Sequence, residues 1–182
     1  MGPRKVFLQF FVCWICLLFL GGSMVFAQEK DMLRTPNGLS FADIKGYEAW
    51  QVVAPSYRPD KKEVRYILGN NTLINAYKSG VPGNNKPFPD GSILVKIAYS
   101  EKPHPAFALA LVPDVLQRIE FMVRDSARFK DTGGWGYARF VYEAKTNTFK
   151  PYGDSPSFAS ECYKCHLLVK DMDYVFTKYS TR

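Results

Sequence analysis

Cys162-Tyr163-Lys164-Cys165-His166 is the stretch of this 182-residue chain whose residue types and spacing best suit chemistry. On one helical turn, two thiols separated by two residues share an edge, where both can add to the vinyl groups of a haem. The imidazole directly after the second thiol then projects at the iron. The pattern predicts one haem c, bonded through Cys162 and Cys165, with His166 as the metal ligand. Other readings compete. A zinc site wants about four ligands, and beyond residue 27 the chain has Cys162, Cys165, His104 and His166 as its only cysteines and histidines. A Cys162–Cys165 disulfide stays open in an oxidising compartment. A thioredoxin-like pair is expected beside an early strand–helix unit rather than close to the C-terminus. For the far side of the iron, the sequence offers Met122, Met172, Met32 and His104. His104, between Pro103 and Pro105, reads equally as an exposed loop histidine.

Haem attachment of this kind needs an exported chain, and the N-terminus predicts one. Arg4 and Lys5 precede an apolar run from Val6 to Leu20, followed by Gly21, Gly22 and Ser23. Val25-Phe26-Ala27 before Gln28 has the compact residues of a cleavage site, so residues 1–27 read as a signal peptide cleaved after Ala27. An uncleaved N-terminal anchor is the alternative, because the run approaches spanning length. Cys13 and Cys16 lie inside it with no following His and read as apolar filler. The chain has 24 Lys+Arg against 17 Asp+Glu, or +7. Losing Arg4 and Lys5 leaves 22 against 17, or +5. That balance suits an acidic partner or an anionic surface. It does not argue for nucleic acid, since no basic stripe interleaves with aromatics.

Residues 28–182 must then supply one domain that positions the motif. Ser40 can cap a short helix from Phe41 towards Trp50. Ala54 to Asp60, with Pro55 and Pro59, reads as a loop. Val64 to Leu68 reads as a strand, and Asn70 as the cap of a helix over Thr72 to Lys78. The Asn70-Asn71-Thr72 sequon is assigned to that turn and cap. Ser92 to Tyr99 alternates clearly, with Ile93, Val95 and Ile97 on one face and Leu94, Lys96 and Ala98 on the other. Phe107–Val112 and Leu116–Arg124 read as two strands around Pro113-Asp114, and Trp135–Tyr142 as another. Tyr152 to Ser157 is turn-rich, and a helix from near Ser157 or Ser160 carries the motif. The fold class is therefore α+β: an antiparallel sheet of about five strands with flanking helices. The haem is expected to pack on the sheet and to be held by the C-terminal helix. Taken alone, the periodicity makes Lys96 a solvent-facing strand lysine, Arg65 an edge charge, and Glu120 a partner for a neighbouring Arg.

Over nearly all of residues 28–182 the chain resembles cytochrome P-460 and the related cytochromes c′-beta. The resemblance rests on Tyr47-Glu48-Ala49-Trp50, Val64-Arg65, Asp90-Gly91-Ser92-Ile93-Leu94-Val95-Lys96, Glu120, Val123 to Phe129, Gly134-Trp135, Cys162 to His166, and Met172 to Thr177. It implies a periplasmic, homodimeric mono-haem protein with a five-coordinate iron. It also implies a covalent bond from Lys96 to the porphyrin, an arginine (Arg65) near the iron's ligand, and a carboxylate (Glu120) above the iron as general base. The activity implied is oxidation of hydroxylamine to nitrous oxide or nitrite, with a c-type cytochrome as electron acceptor. Binding or scavenging of nitric oxide, and plain electron carriage through a six-coordinate haem, are the other readings.

Overall fold

The computed structural model describes residues 30–180; the predicted signal peptide or anchor lies outside the described residues. Six strands form one antiparallel sheet in sequence order: β1 (Gln51–Arg58), β2 (Glu63–Gly69), β3 (Ile93–His104), β4 (Phe107–Arg124), β5 (Trp135–Glu143) and β6 (Thr148–Pro151). Among the described residues, the α-helices lying wholly within them are α1 (Asn71–Lys78) and α2 (Ala159–His166). The α+β class is as expected, with one strand more than about five.

Each difference from the sequence reading has a local cause. Ala54 to Asp60 is mostly strand, not loop. Its Pro55 is tolerated because β1 is an edge strand, where a missing N–H costs no ladder bond. The two strands expected around Pro113-Asp114 are one, β4, whose register shifts against β3 absorb the irregularity as bulges. A second strand that was not expected, β6, is four residues long, ends in Pro151 and pairs only with β5. The helix expected towards Trp50 is two short 3-10 turns, Phe41–Ile44 and Tyr47–Ala49, the first closed by a capping box between Ser40 and Asp43. Asn70 caps α1 as expected. Its side chain accepts from Leu73 N at 3.0 Å and Ile93 N at 3.2 Å and donates to Gly91 O at 2.8 Å.

The sheet buries both faces. Phe41, Ile44 and Tyr47 pack with Val95, Ile119, Phe121 and Phe140 on one side, where Phe41 and Phe140 rings lie 4.3 Å apart. The other face packs Ile67, Leu94, Met122 and Tyr137 against α1, α2 and the C-terminal segment around Val175. Alternation along the strands decides which side chains meet there. The register places Ile67, Lys96, Glu120 and Arg139 in one cross-strand row, and Gly69, Leu94, Met122 and Tyr137 in the next.

Candidate functional site

The motif helix is short and is held by its ends. Pro156 opens the 3-10 turn that leads into α2, and Phe158 and Ala159 are buried at its start. Gly153 is left-handed (φ +92°), and a Cβ there would stand 2.6 Å from Phe158 Cβ, so only glycine allows this approach. Beyond α2 the chain turns at Asp173 and Tyr174, both with positive φ. Asp173 anchors this turn: it accepts from Phe88 N at 2.7 Å and lies 3.5 Å from Arg124.

The turn presents the Tyr174 carbonyl 2.6 Å from His166 Nδ1. A carbonyl can only accept, so Nδ1 carries the proton and Nε2 keeps its lone pair. Burial holds the His166 imidazole below its ordinary pKa, against the pull of the Tyr174 carbonyl, which favours the neutral form a metal ligand needs. The ring lies 5.0 Å from Tyr137 and 5.1 Å from Phe176.

Cys162, Cys165 and His166 line a cavity of about 650 Å³ against the sheet. Both cysteines are free thiols; the cysteine disulfide that the sequence left open is not formed. Opposite them the wall is Arg65, Ile67, Leu94, Lys96, Arg118, Glu120, Met122, Tyr137 and Arg139. The fold thus brings together all six predicted site residues: Lys96, Arg65, Glu120, Cys162, Cys165 and His166. Of the four side chains considered as a second iron ligand, Met122 alone lines this cavity. Met32 is 65% exposed, and His104 ends β3, its Nδ1 accepting from Ala106 N at 3.1 Å.

A charged network covers the sheet wall. Lys96 Nζ lies 2.7 Å from Glu120 Oε2, Arg118 Nε lies 3.0 Å from the same oxygen, and Arg139 Nε reaches Oε1 at 2.7 Å. Arg118 also donates to Glu63 through both terminal nitrogens, and Arg65 donates to Glu63 Oε2 at 2.7 and 3.0 Å. Burial pushes the Glu120 carboxyl up, but Lys96, Arg118 and Arg139 together outweigh it and hold the group at about 2. Glu63 behaves alike: burial raises it, and Arg118 and Arg65 bring it to about 2. Lys96 shifts down, because burial outweighs the attraction of Glu120. Lys96 therefore faces a polar cavity, not solvent. Arg65 answers to Glu63 rather than to Glu120. Glu63, Arg118 and Arg139 were not singled out in the sequence. Residues 63 and 118 share strand faces with Arg65 and Glu120, and that alternation was the available signal.

The residues present suit a haem. Among the described residues no group of three or more His, Cys, Asp or Glu could hold a bare metal ion. One imidazole with a free Nε2 beside two thiols on a single helix suits iron that brings its own macrocycle. Cationic side chains outnumber carboxylates on the sheet wall, which matches a group carrying propionates. The class this site defines is the c-type haem protein. The comparison agrees: the sequence model of one family, Cytochrome P460, matches residues 44–177, and the chain belongs to that family, whose haem proteins are related to hydroxylamine oxidation. No curated protein matches the chain.

Proposed function

We propose that the chain is an exported, periplasmic mono-haem enzyme that oxidises hydroxylamine, with haem c bonded to Cys162 and Cys165, ligated by His166 and tied to Lys96. The observation that carries this reading is the placement of Lys96. It stands in the cavity wall facing the motif, with burial favouring its neutral form. A free amine, unlike an ammonium, can bond to carbon.

When bound, the haem supplies the redox-active iron that takes up the electrons. The protein's residues handle protons and position. Glu120 is the carboxylate able to accept substrate protons, and Arg118 and Arg139 fix both its oxygens. Its proton affinity depends on Lys96. A Lys96 ammonium at 2.7 Å holds Glu120 too acidic to serve as a base near neutral pH, and a neutral Lys96 nitrogen removes that pull. Arg65, clamped by Glu63, presents a fixed donor to an oxygen in the cavity. Electrons leave to a soluble acceptor, for which a c-type cytochrome is the proposed partner. Nitrous oxide or nitrite is the proposed product.

Met122 favours one other reading, a six-coordinate electron carrier, because it lines the cavity. The optical spectrum of the reduced protein separates the two. A red-shifted, broadened Soret band that becomes an ordinary c-type band in Lys96→Leu supports the Lys96 bond, and an ordinary band in the unaltered protein overturns it. Acceptor reduction that depends on hydroxylamine then tests the activity; a correctly cross-linked protein without turnover overturns the enzyme reading.

A further inference from the structure

The Tyr174 carbonyl that bonds His166 belongs to a strained turn. Asp173 and Tyr174 take φ of +48° and +63° in succession. Neither is glycine, so the backbone keeps this shape only where its neighbours impose it. Three contacts do so. Asp173 Oδ2 accepts from Phe88 N at 2.7 Å, which ties the turn to the loop before β3. Asp173 Oδ1 lies 3.5 Å from Arg124 Nη1 at the end of β4, and both side chains are only 11% exposed. The Tyr174 ring lies against Gly133, where a Cβ would stand 2.5 Å from it. The bond held in place this way is short. His166 Nδ1 and the carbonyl are 2.6 Å apart, against roughly 2.7–3.2 Å for an ordinary N–H···O bond. Asp173 itself does not line the cavity.

We propose that Asp173 is a positioning residue that sets how strongly His166 donates to the Tyr174 carbonyl and, through that bond, the reduction potential of the haem iron. This rests on His166 as the iron ligand in the function proposed above, and on neither the Lys96 bond nor hydroxylamine turnover. A ring N–H held tightly to an acceptor gives the imidazole anionic character and makes Nε2 the stronger donor. A stronger axial donor favours ferric over ferrous iron. Released from Asp173, the turn can leave the left-handed region and draw the Tyr174 carbonyl away from Nδ1. The balance then moves towards ferrous iron, and the potential rises.

The test is the reduction potential of the full mature haem-loaded chain, by spectral titration against redox dyes. Asp173→Gly is the variant, because glycine adopts the left-handed turn freely but offers it no anchor. The ferric-to-ferrous ratio at a fixed solution potential should fall about 10-fold, a rise of roughly 59 mV for one electron, at the lower end of what losing an outer partner of a metal ligand costs. Asp173→Asn tolerates the same backbone and keeps an acceptor for Phe88 N, so it should restore most of the original potential. Asn also lacks the charge. A potential as high in Asn as in Gly would assign the effect to charge and overturn the proposal. So would a Gly variant that melts earlier at an unchanged potential, the mark of a purely structural residue. Should Asp173→Gly fail to load haem, hydrogen exchange of the unaltered protein decides. Coupling is reciprocal, so the Phe88 amide should open about 10-fold less often in the ferric than in the ferrous state. Equal protection in the two states overturns the proposal. A haem spectrum indifferent to His166→Ala would instead remove His166 as the ligand, and with it both this role and the function proposed above.

Discussion

Lys96 Nζ and Glu120 Oε2 lie 2.7 Å apart because their residues are directly paired across β3 and β4. The contact is therefore fixed by strand register and not by a flexible loop. A one-residue slip in either strand would turn one of the two onto the apolar face with Val95 and Phe121. The same register brings Arg139 to Glu120 from β5, so three strands in their normal pairing build the carboxylate's environment.

Acid should weaken the fold in a defined window. In the folded chain before haem is attached, with Lys96 still an ammonium, Glu120 and Glu63 both sit near 2, below the ordinary 4.5. A depressed carboxylate contributes stability that is complete above its unfolded value and is lost as pH falls through the folded one. The window is therefore pH 4.5 down to about 2, and each group is worth roughly 3 kcal/mol across it by linkage. Urea denaturation at stepped pH should show that loss. A Glu63→Gln, Glu120→Gln double variant should be less stable near neutrality and should show a much flatter dependence in the window. An equally steep fall in the double variant would assign the acid sensitivity to other groups.

The sheet, its antiparallel sense and the motif helix were legible in the sequence because they rest on local rules: alternation in residues 92 to 99, the Asn70 cap, the Cys-x-x-Cys-His spacing. The misreadings arose where tertiary context decides. Pro55 reads as a loop signal until β1 is known to be an edge. Pro113 reads as a break until bulges carry β4 through it. Lys96 was the sharpest case for periodicity taken alone, since only the family resemblance put it at the haem. Periodicity put it correctly on the Leu94 and Ala98 face, yet a lysine on a strand ordinarily means solvent. Only the chain returning from α2 through Val175 to Thr177 makes that face the wall of a cavity, and no local pattern encodes that return. A pairing of Glu120 with a neighbouring Arg was expected only as a surface contact; that Arg118 also reaches the buried Glu63 was missed, since a charged side chain next to another is usually a surface pair.

Arg118 is the residue that joins the two carboxylates. It donates to Glu63 and to Glu120 while mostly buried itself. Arg118→Met should therefore cost more than a surface ion pair. Removing one partner of a buried network strands the others, at about 3–5 kcal/mol. In a chain of this size that lowers the melting temperature by on the order of 10 °C. Lysine at the same position keeps the charge but cannot bond both carboxylates with a rigid fork, and should recover only part of the loss. Calorimetry on the three proteins checks the order: unaltered, then Lys, then Met. A Met variant as stable as the unaltered chain would reduce Arg118 to a bystander.

The two motif thiols sit differently in the fold, and removing them singly and together tests which bonds hold the haem. Cys162 is half-buried, packs with the core, and is pushed to a higher pKa by burial, whereas Cys165 is exposed. With haem attached at both, intact mass under denaturing conditions should exceed that of the polypeptide by one haem. Cys162→Ala and Cys165→Ala should each still retain the group through the remaining thioether, and the double variant should release it on denaturation unless Lys96 also holds it. That last condition makes the experiment discriminating. Retention by the double variant, abolished by a third change, Lys96→Leu, would demonstrate the lysine bond without reference to activity. Release by the double variant with Lys96 intact would leave the lysine as a neighbour of the haem and no more, and Glu120 would then keep the ammonium that holds it acidic.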